Sequence, residues 1–331
     1  MNVRNNANLV PLLATFAVTV LLIAFGGLRY NGFASFGNLV SVVNDGAVIG
    51  IAALGATFVI LSGGIDLSTG ALIAFTSTLT ASLIEHHGLH PAAAVGVSLC
   101  AGAAAGLGAG SLIHFFQLPP FMVTLAAMFF WRAMGFVIEP QSVSVSNASV
   151  LDLAGQSVGI AGLHLPLISV AYALLTVVAI ILAGYTGFGR GVYAIGGNEQ
   201  SARLMGVPIA RTKLLTYTIA GLCSAAAGVA ATIYKCSGDP AGFVGGELDV
   251  IAAVVIGGTL LSGGVGYVAG TVLGVLILGL IQAIINFEGN LSAAWVRIAT
   301  GALVLFFVLL QKGVARLGHA RLPAAQRTAT P

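Results

Sequence analysis

AALGATFVILSGGIDLSTG, residues 52–70, decides the fold. Ten residues pass from Ala52 to Leu61 without a charge, a glycine pair then breaks the run at Ser62-Gly63-Gly64, and one acid, Asp66, precedes the next apolar run. A helix that is apolar on every face is buried in protein or in lipid. Upstream the same helix extends back to residue 39, interrupted by Asn44, Asp45 and Gly46, and downstream a second runs over 67–84. Each approaches the roughly 20 residues that cross 30 Å of hydrocarbon. The stretch therefore reads as two membrane spans joined by a glycine turn. Asp66 can cap the helix starting near Leu67 or Ser68, and the flanking glycines also permit an unwound segment, tolerated where protein or a water-filled cavity lies beside it.

The same wording returns 200 residues later, where Ala252 to Gly270 reads AAVVIGGTLLSGGVGYVAG and Ser262-Gly263-Gly264 matches Ser62-Gly63-Gly64. Six expected spans separate the copies, so both run in the same direction, as in a parallel internal repeat. Chance similarity of two glycine-rich turns is the alternative.

The rest of the chain has the same character: 58% of its 331 residues are apolar and 7% charged, against about 25% charged in soluble domains. Spans are expected at 9–28, 39–61, 67–84, 91–113, 121–139, 164–185, 213–234, 250–262, 264–286 and 292–311. The fold class is an all-α polytopic membrane helical bundle of about ten transmembrane helices. Residues 1–8 form a short cytoplasmic N-terminus, 9–311 the transmembrane domain, and 312–331 a basic, disordered cytoplasmic tail. The first apolar run is too long for a cleaved signal, so it is expected to remain as a span. With ten spans both termini share one side, and the positive charges choose it. Arg4, Arg190, Arg203, Arg211, Lys213, Lys312, Arg316, Arg321 and Arg327 fall inside, and only Arg29 and Lys235 outside. Charges distributed in this way by topology form no nucleic-acid patch.

Two polar stretches interrupt the spans. Residues 140–163 are rich in Ser, Val and Gly and lie outside, and 186–212 form an inside loop. In the latter, Asn198 followed by Glu199, Ala202, Arg203, Leu204 and Met205 reads as a short capped amphipathic helix. An ordinary connector carrying interfacial charges is the alternative.

Catalytic signatures are missing. No GxxxxGK[ST] cradles a nucleotide phosphate, so the chain by itself is expected neither to bind nor to hydrolyse ATP. The histidines lie at span ends or in the tail, away from any serine within a span, which argues against an intramembrane hydrolase. Cys100, Cys223 and Cys236 have no metal-site spacing, and no cofactor is expected. Ionisable groups within spans are costly and mark candidate sites. Those residues are Asp45, with Asn44 beside it, Arg132 and Arg297. The carboxylate could accept hydrogen bonds from a hydroxylated solute or pair with an arginine, and either arginine could snorkel to the interface. Ser62 and Ser262 read as helix-end residues within structural turns.

TFVILSGGIDLSTG at 57–70, YAIGGN and ARLMGV in the inside loop, and ELDVIAAVVIGGTLLSGGVG at 247–266 resemble motifs of the permease subunits of ribose-type carbohydrate ABC importers. The likeness covers most of the chain between Asn38 and Lys312, and LLSGGVG with INFEGNLSAAW at 285–295 is most similar to galactofuranose importer permeases. The resemblance implies a bacterial inner-membrane subunit that imports a monosaccharide. It further implies a second permease subunit, the same or related, a periplasmic sugar-binding protein, and a cytoplasmic ATP-binding subunit with fused nucleotide-binding domains. By the same resemblance Asn198 to Met205 form the ATPase-coupling element. The competing function is a self-sufficient secondary transporter or channel for a small polar solute. Such a carrier usually places acids in mid-membrane, and Asp45 alone is a candidate here.

Overall fold

The computed structural model describes residues 3–160, 163–289 and 294–320. The described residues form thirteen helices and two small two-stranded sheets. In chain order these are α1 (Val3–Arg29), α2 (Phe36–Leu61), α3 (Thr69–Glu85), α4 (Pro91–Phe115), α5 (Pro120–Ile138), β1 (Val143–Ser144) and α6 (Ala148–Gly155). Then come β2 (Ser157–Ile160), β3 (Leu163–Pro166), α7 (Leu167–Tyr185), α8 (Gly187–Gly197), α9 (Glu199–Leu204), α10 (Ile209–Lys235), β4 (Ser237–Gly238), α11 (Gly246–Ile256), α12 (Val268–Glu288) and α13 (Ala294–Ala320). The chain is an all-α polytopic membrane protein.

Helices α2 and α10 form the centre. From Ala47 to Leu61 nearly every α2 side chain is buried, which explains why its sequence is apolar all round. Helix α10 packs on α2, α3 and α4. It contacts α4 through small residues, since a Cβ at Gly106 would stand 2.1 Å from the Tyr217 carbonyl oxygen and one at Gly102 2.6 Å from that of Gly221. Such close approach supplies the dispersion contacts that hold helices together in lipid, where no hydrophobic drive operates. Hydroxyl pairs add interhelical hydrogen bonds: Thr57 with Thr271 at 2.8 Å, Ser77 with Thr232 at 3.0 Å, and Thr80 with Ser98 at 2.7 Å.

All ten expected spans have a helical counterpart, but eight helices among the described residues are long and apolar enough to cross a membrane. Helix α3 has 17 residues and α11 has 11. The expected span 250–262 therefore ends early. Gly257 and Gly258, the latter at φ 91°, stop α11 after about 17 Å, and residues 257–267 continue as irregular backbone. Protein covers the start of that segment, the condition under which non-helical backbone persists at membrane depth. The expected span from 164 begins instead at Leu167, after a hairpin in which Val158 pairs with Leu165. Residues 312–320, expected in a disordered tail, continue α13, and 321–331 lie outside the described residues.

The bundle has two distinguishable ends. Both SGG turns and the 186–212 segment lie together at one, here the SGG end. At the far end β1 pairs with β4, Glu85 receives Ser146, and Tyr30 donates to Glu288. Helices α2 and α11 pack on each other and lead into turns that touch, so the two copies of the repeated stretch run the same way.

Candidate functional site

Polar side chains converge at one place in the far half of the bundle. A cavity of about 280 Å³ opens among α2, α11, α12 and α13, with Asn38, Ser41, Asp45, Asp249, Gln282 and Asn286 on its walls. Asn38, Ser41 and Asp45 lie three and four residues apart and share one face of α2, and Gln282 and Asn286, four apart, share one face of α12. Val42, Ile49, Val275 and Leu278 supply the apolar part. Tyr234 on α10 donates its hydroxyl to Asp45 Oδ1 at 2.6 Å, and Gln282 Nε2 donates to Asn286 Oδ1 at 2.9 Å. The walls offer hydrogen-bond acceptors and amide donors around an apolar floor, and among the described residues no Lys or Arg lines them.

The four path residues expected from sequence do not gather here. Asp45 lines the cavity, but neighbouring Asn44 points to α7, where its Oδ1 accepts from Ser169 Oγ at 3.1 Å. Consecutive helical residues point about 100° apart, so the two could not serve one cavity wall. Arg297 lines an adjoining cavity of about 330 Å³ between α11 and α13, which shares Asp249 and Thr300 with the first. Arg132 does not line the cavity. Its guanidinium donates to the carbonyls of Pro240, Gly242 and Phe243, with the Phe243 contact at 3.3 Å, and clamps the loop before α11. Asp249, Gln282, Asn286, Ser41 and Asn38 went unrecognised as site residues. The signal for all of them but Asp249, which lies on α11, is the helical spacing of the polar residues within α2 and α12.

Asp66 sits in the first SGG turn and is 7% exposed. It accepts from the Ser68 backbone N–H at 2.8 Å and from Ser68 Oγ at 2.6 Å. Burial pushes its carboxyl up, and the two Ser68 bonds oppose that shift. α3 starts at Thr69 after Ser68, so Asp66, three residues ahead of the helix, folds the turn instead of capping the helix as expected.

The 186–212 segment holds two helices rather than one. Asn198 caps α9 through the Ser201 N–H at 2.7 Å. Lys213 Nζ lies 2.7 Å from Glu199 Oε2, and Arg203 lies 3.7 Å from Oε1 of the same carboxylate. Ala202 is sealed against Ile195 and Ile209, whereas Leu204 is 85% and Met205 71% exposed. Helix α8 has five glycines in eleven residues, GFGRGVYAIGG, and propensity alone argues against it. Tertiary contacts override propensity there. The Phe188 ring lies 5.6 Å from that of Phe58, Tyr193 donates its hydroxyl to the Gly266 carbonyl at 2.9 Å, and Gly196 packs on the Leu61 carbonyl.

Known proteins are similar to this chain in sequence over most of its length. The chain is 43% identical over 314 residues, 94% of either chain, to the inner membrane ABC transporter permease protein YjfF of Escherichia coli K12. It is 34% identical to the fructose import permease protein FruG of Bifidobacterium longum over 94% of this chain and 93% of that one. Against the ribose import permease protein RbsC of Bacillus subtilis it is 36% identical over 83% and 84% of the two chains. No solved structure matches. Residues 38–309 match the family described as branched-chain amino acid transport system / permease component, and the chain belongs to that family of permeases.

Proposed function

We propose that the chain is a permease subunit of an ATP-driven importer carrying a monosaccharide, galactofuranose foremost, from periplasm to cytoplasm. The observation that carries the reading is the two-faced 186–212 segment. One face is fixed to both SGG turns, and the other presents Leu204 and Met205, two large apolar side chains outside any span. A helix offering such anchors suits a groove on a cytoplasmic partner. That partner is an ATP-binding subunit with fused nucleotide-binding domains, which supplies the phosphate chemistry for which this sequence has no motif.

The cavity around Asp45 favours a sugar over an amino acid. A zwitterion asks for a cation opposite its carboxylate, and the described walls hold acids, amides and the hydroxyls of Ser41 and Thr300, with Arg297 lying in the adjoining cavity. The relatives named for ribose and fructose support the same substrate class. Because Asp45, Asp249 and Arg297 are exposed where lipid would otherwise lie, a second permease subunit, the same or related, covers this face. A periplasmic sugar-binding protein delivers to the far end. The excess of Lys and Arg in the 186–212 loop and the tail puts both termini in the cytoplasm.

Co-expression with candidate ATP-binding and binding-protein subunits tests the reading. Expected are co-purification and ATP-dependent uptake of one of galactofuranose, ribose and fructose, with reporters after Pro331 and within 145–160 on opposite sides of the membrane. Uptake that follows an ion gradient and ignores ATP would establish a secondary carrier instead.

A further inference from the structure

Three strands of backbone meet without side chains at the SGG end. The Gly264 N–H donates to the Leu61 carbonyl at 2.9 Å and joins the two repeated turns directly. Gly63 and Gly263 hold the same left-handed conformation, at φ 81° and 83°, and a Cβ on Gly263 would lie 2.7 Å from the Gly63 nitrogen. Above this contact sits the last turn of α8. A Cβ on Gly196 would stand 1.8 Å from the Leu61 oxygen and 2.5 Å from the Gly264 nitrogen, the acceptor and the donor of the bond between the turns. The next residue, Gly197, faces open space.

We propose that Gly196 is a positioning residue that passes movement of the 186–212 loop to both repeated turns at once. The inference rests on the importer function proposed above. Helix α8 is fixed at two further points, by Phe188 on Phe58 of α2 and by Tyr193 on the Gly266 carbonyl, so it bridges the first repeat and the second as one rigid piece. The segment it presses, 257–267, is irregular and holds Gly263, Gly264 and Gly266 at positive φ, which lets its backbone change where a helix would resist. Three of the helices that meet at the joint, α2, α11 and α12, line the cavity. Leu61 and Asp45 are sixteen residues apart on α2, about 24 Å along its axis. α12 leads from the second turn to Gln282 and Asn286, and α11 enters it from Asp249. A tilt imposed at the joint thus reaches three walls of the cavity together.

The test compares adjacent glycines in the assembled importer, reconstituted with its ATP-hydrolysing and sugar-binding subunits. Sugar taken up per ATP hydrolysed is measured with galactofuranose, ribose and fructose as probes for the unaltered chain, Gly196→Ala, Gly197→Ala and Tyr193→Phe. Gly196→Ala and Tyr193→Phe are expected to hydrolyse ATP yet lose about fivefold or more of the uptake per ATP, the span of an ordinary coupling free energy. Gly197→Ala, whose methyl meets no atom, keeps the full ratio. Equal ratios for Gly196→Ala and Gly197→Ala overturn the proposal. Should Gly196→Ala fail to accumulate, an unchanged ratio in Tyr193→Phe overturns it equally. An unaltered assembly that takes up none of the three sugars with ATP strikes down the importer reading and this joint with it.

Discussion

The hydroxyl of Tyr234 on α10 donates to Asp45 Oδ1 on α2 at 2.6 Å, across 189 positions of sequence. The carboxylate at the cavity wall is thereby oriented while its second oxygen remains for a solute. Asp45→Asn removes the charge but keeps the shape. Loss of one charge-assisted hydrogen bond, about 1.5 kcal/mol, predicts roughly tenfold weaker apparent sugar affinity in uptake assays. ATP hydrolysis by the assembly should be unaffected. Tyr234→Phe frees the carboxylate to rotate and should produce a smaller effect of the same sign. Unchanged apparent affinity in Asp45→Asn would remove that residue from the path.

Exposed Leu204 and Met205 predict a contact with the ATPase. Each apolar side chain, once buried, contributes about 1.5–3 kcal/mol, so replacing both with Asp should weaken association a hundredfold or more. Neither residue packs in the chain's own core, and membrane insertion should survive. Co-purification from detergent and uptake in cells should both fail. Normal recovery of the complex would locate the contact elsewhere.

Arg132 should matter for stability rather than for sugar binding. Arg132→Leu leaves the carbonyls of Pro240, Gly242 and Phe243 without their donor, a cost of about 1–3 kcal/mol. A lowered melting temperature with unchanged sugar affinity is expected. Lysine, lacking the guanidinium fork, should rescue only in part. A raised KM with normal melting would contradict this assignment.

Glu139, directly after α5, gives a pH dependence of known sign. Ser82 Oγ donates to its Oε1 at 2.7 Å, and His86 Nδ1 lies 2.6 Å from the same oxygen. These partners hold its carboxyl below the usual glutamate range. A depressed carboxylate contributes stability that is present above its unfolded pKa, about 4.3, and is lost as pH falls through the folded value. The unaltered protein should therefore melt higher than Glu139→Gln at neutral pH, and the two should converge as the pH falls through the depressed folded value. A difference independent of pH would mean that the contact acts by packing alone.

Several features were determined by sequence alone because they depend on local composition. Charge-free runs such as Ala52–Leu61 can be satisfied only by apolar surroundings, and a helix is the form in which backbone groups pair within the segment. The break at the first SGG and the cap at Asn198 are likewise local, since each depends on glycine's φ freedom or on a side chain within three residues of its partner, whereas the second break falls at Gly257 and Gly258, ahead of the second SGG. Tertiary structure decided what lies between elements. Helix α8 could not be read from GFGRGVYAIGG, because its glycines disfavour helix until Leu61, Phe58 and Gly266 pack around them. The separation of Asn44 from Asp45 follows from helical phase relative to neighbours more than a hundred residues away. Arg132 looked like an intramembrane charge in search of a path or an interface, and its partners are carbonyls of a loop some 108 to 111 positions downstream. Polar side chains at moderate spacing carry no label for the cavity they will share. Only the packing of α2, α11, α12 and α13 brings Asp45, Asp249, Gln282 and Asn286 around one cavity, and only the packing of α8 on the two turns brings three glycine backbones together at the opposite end.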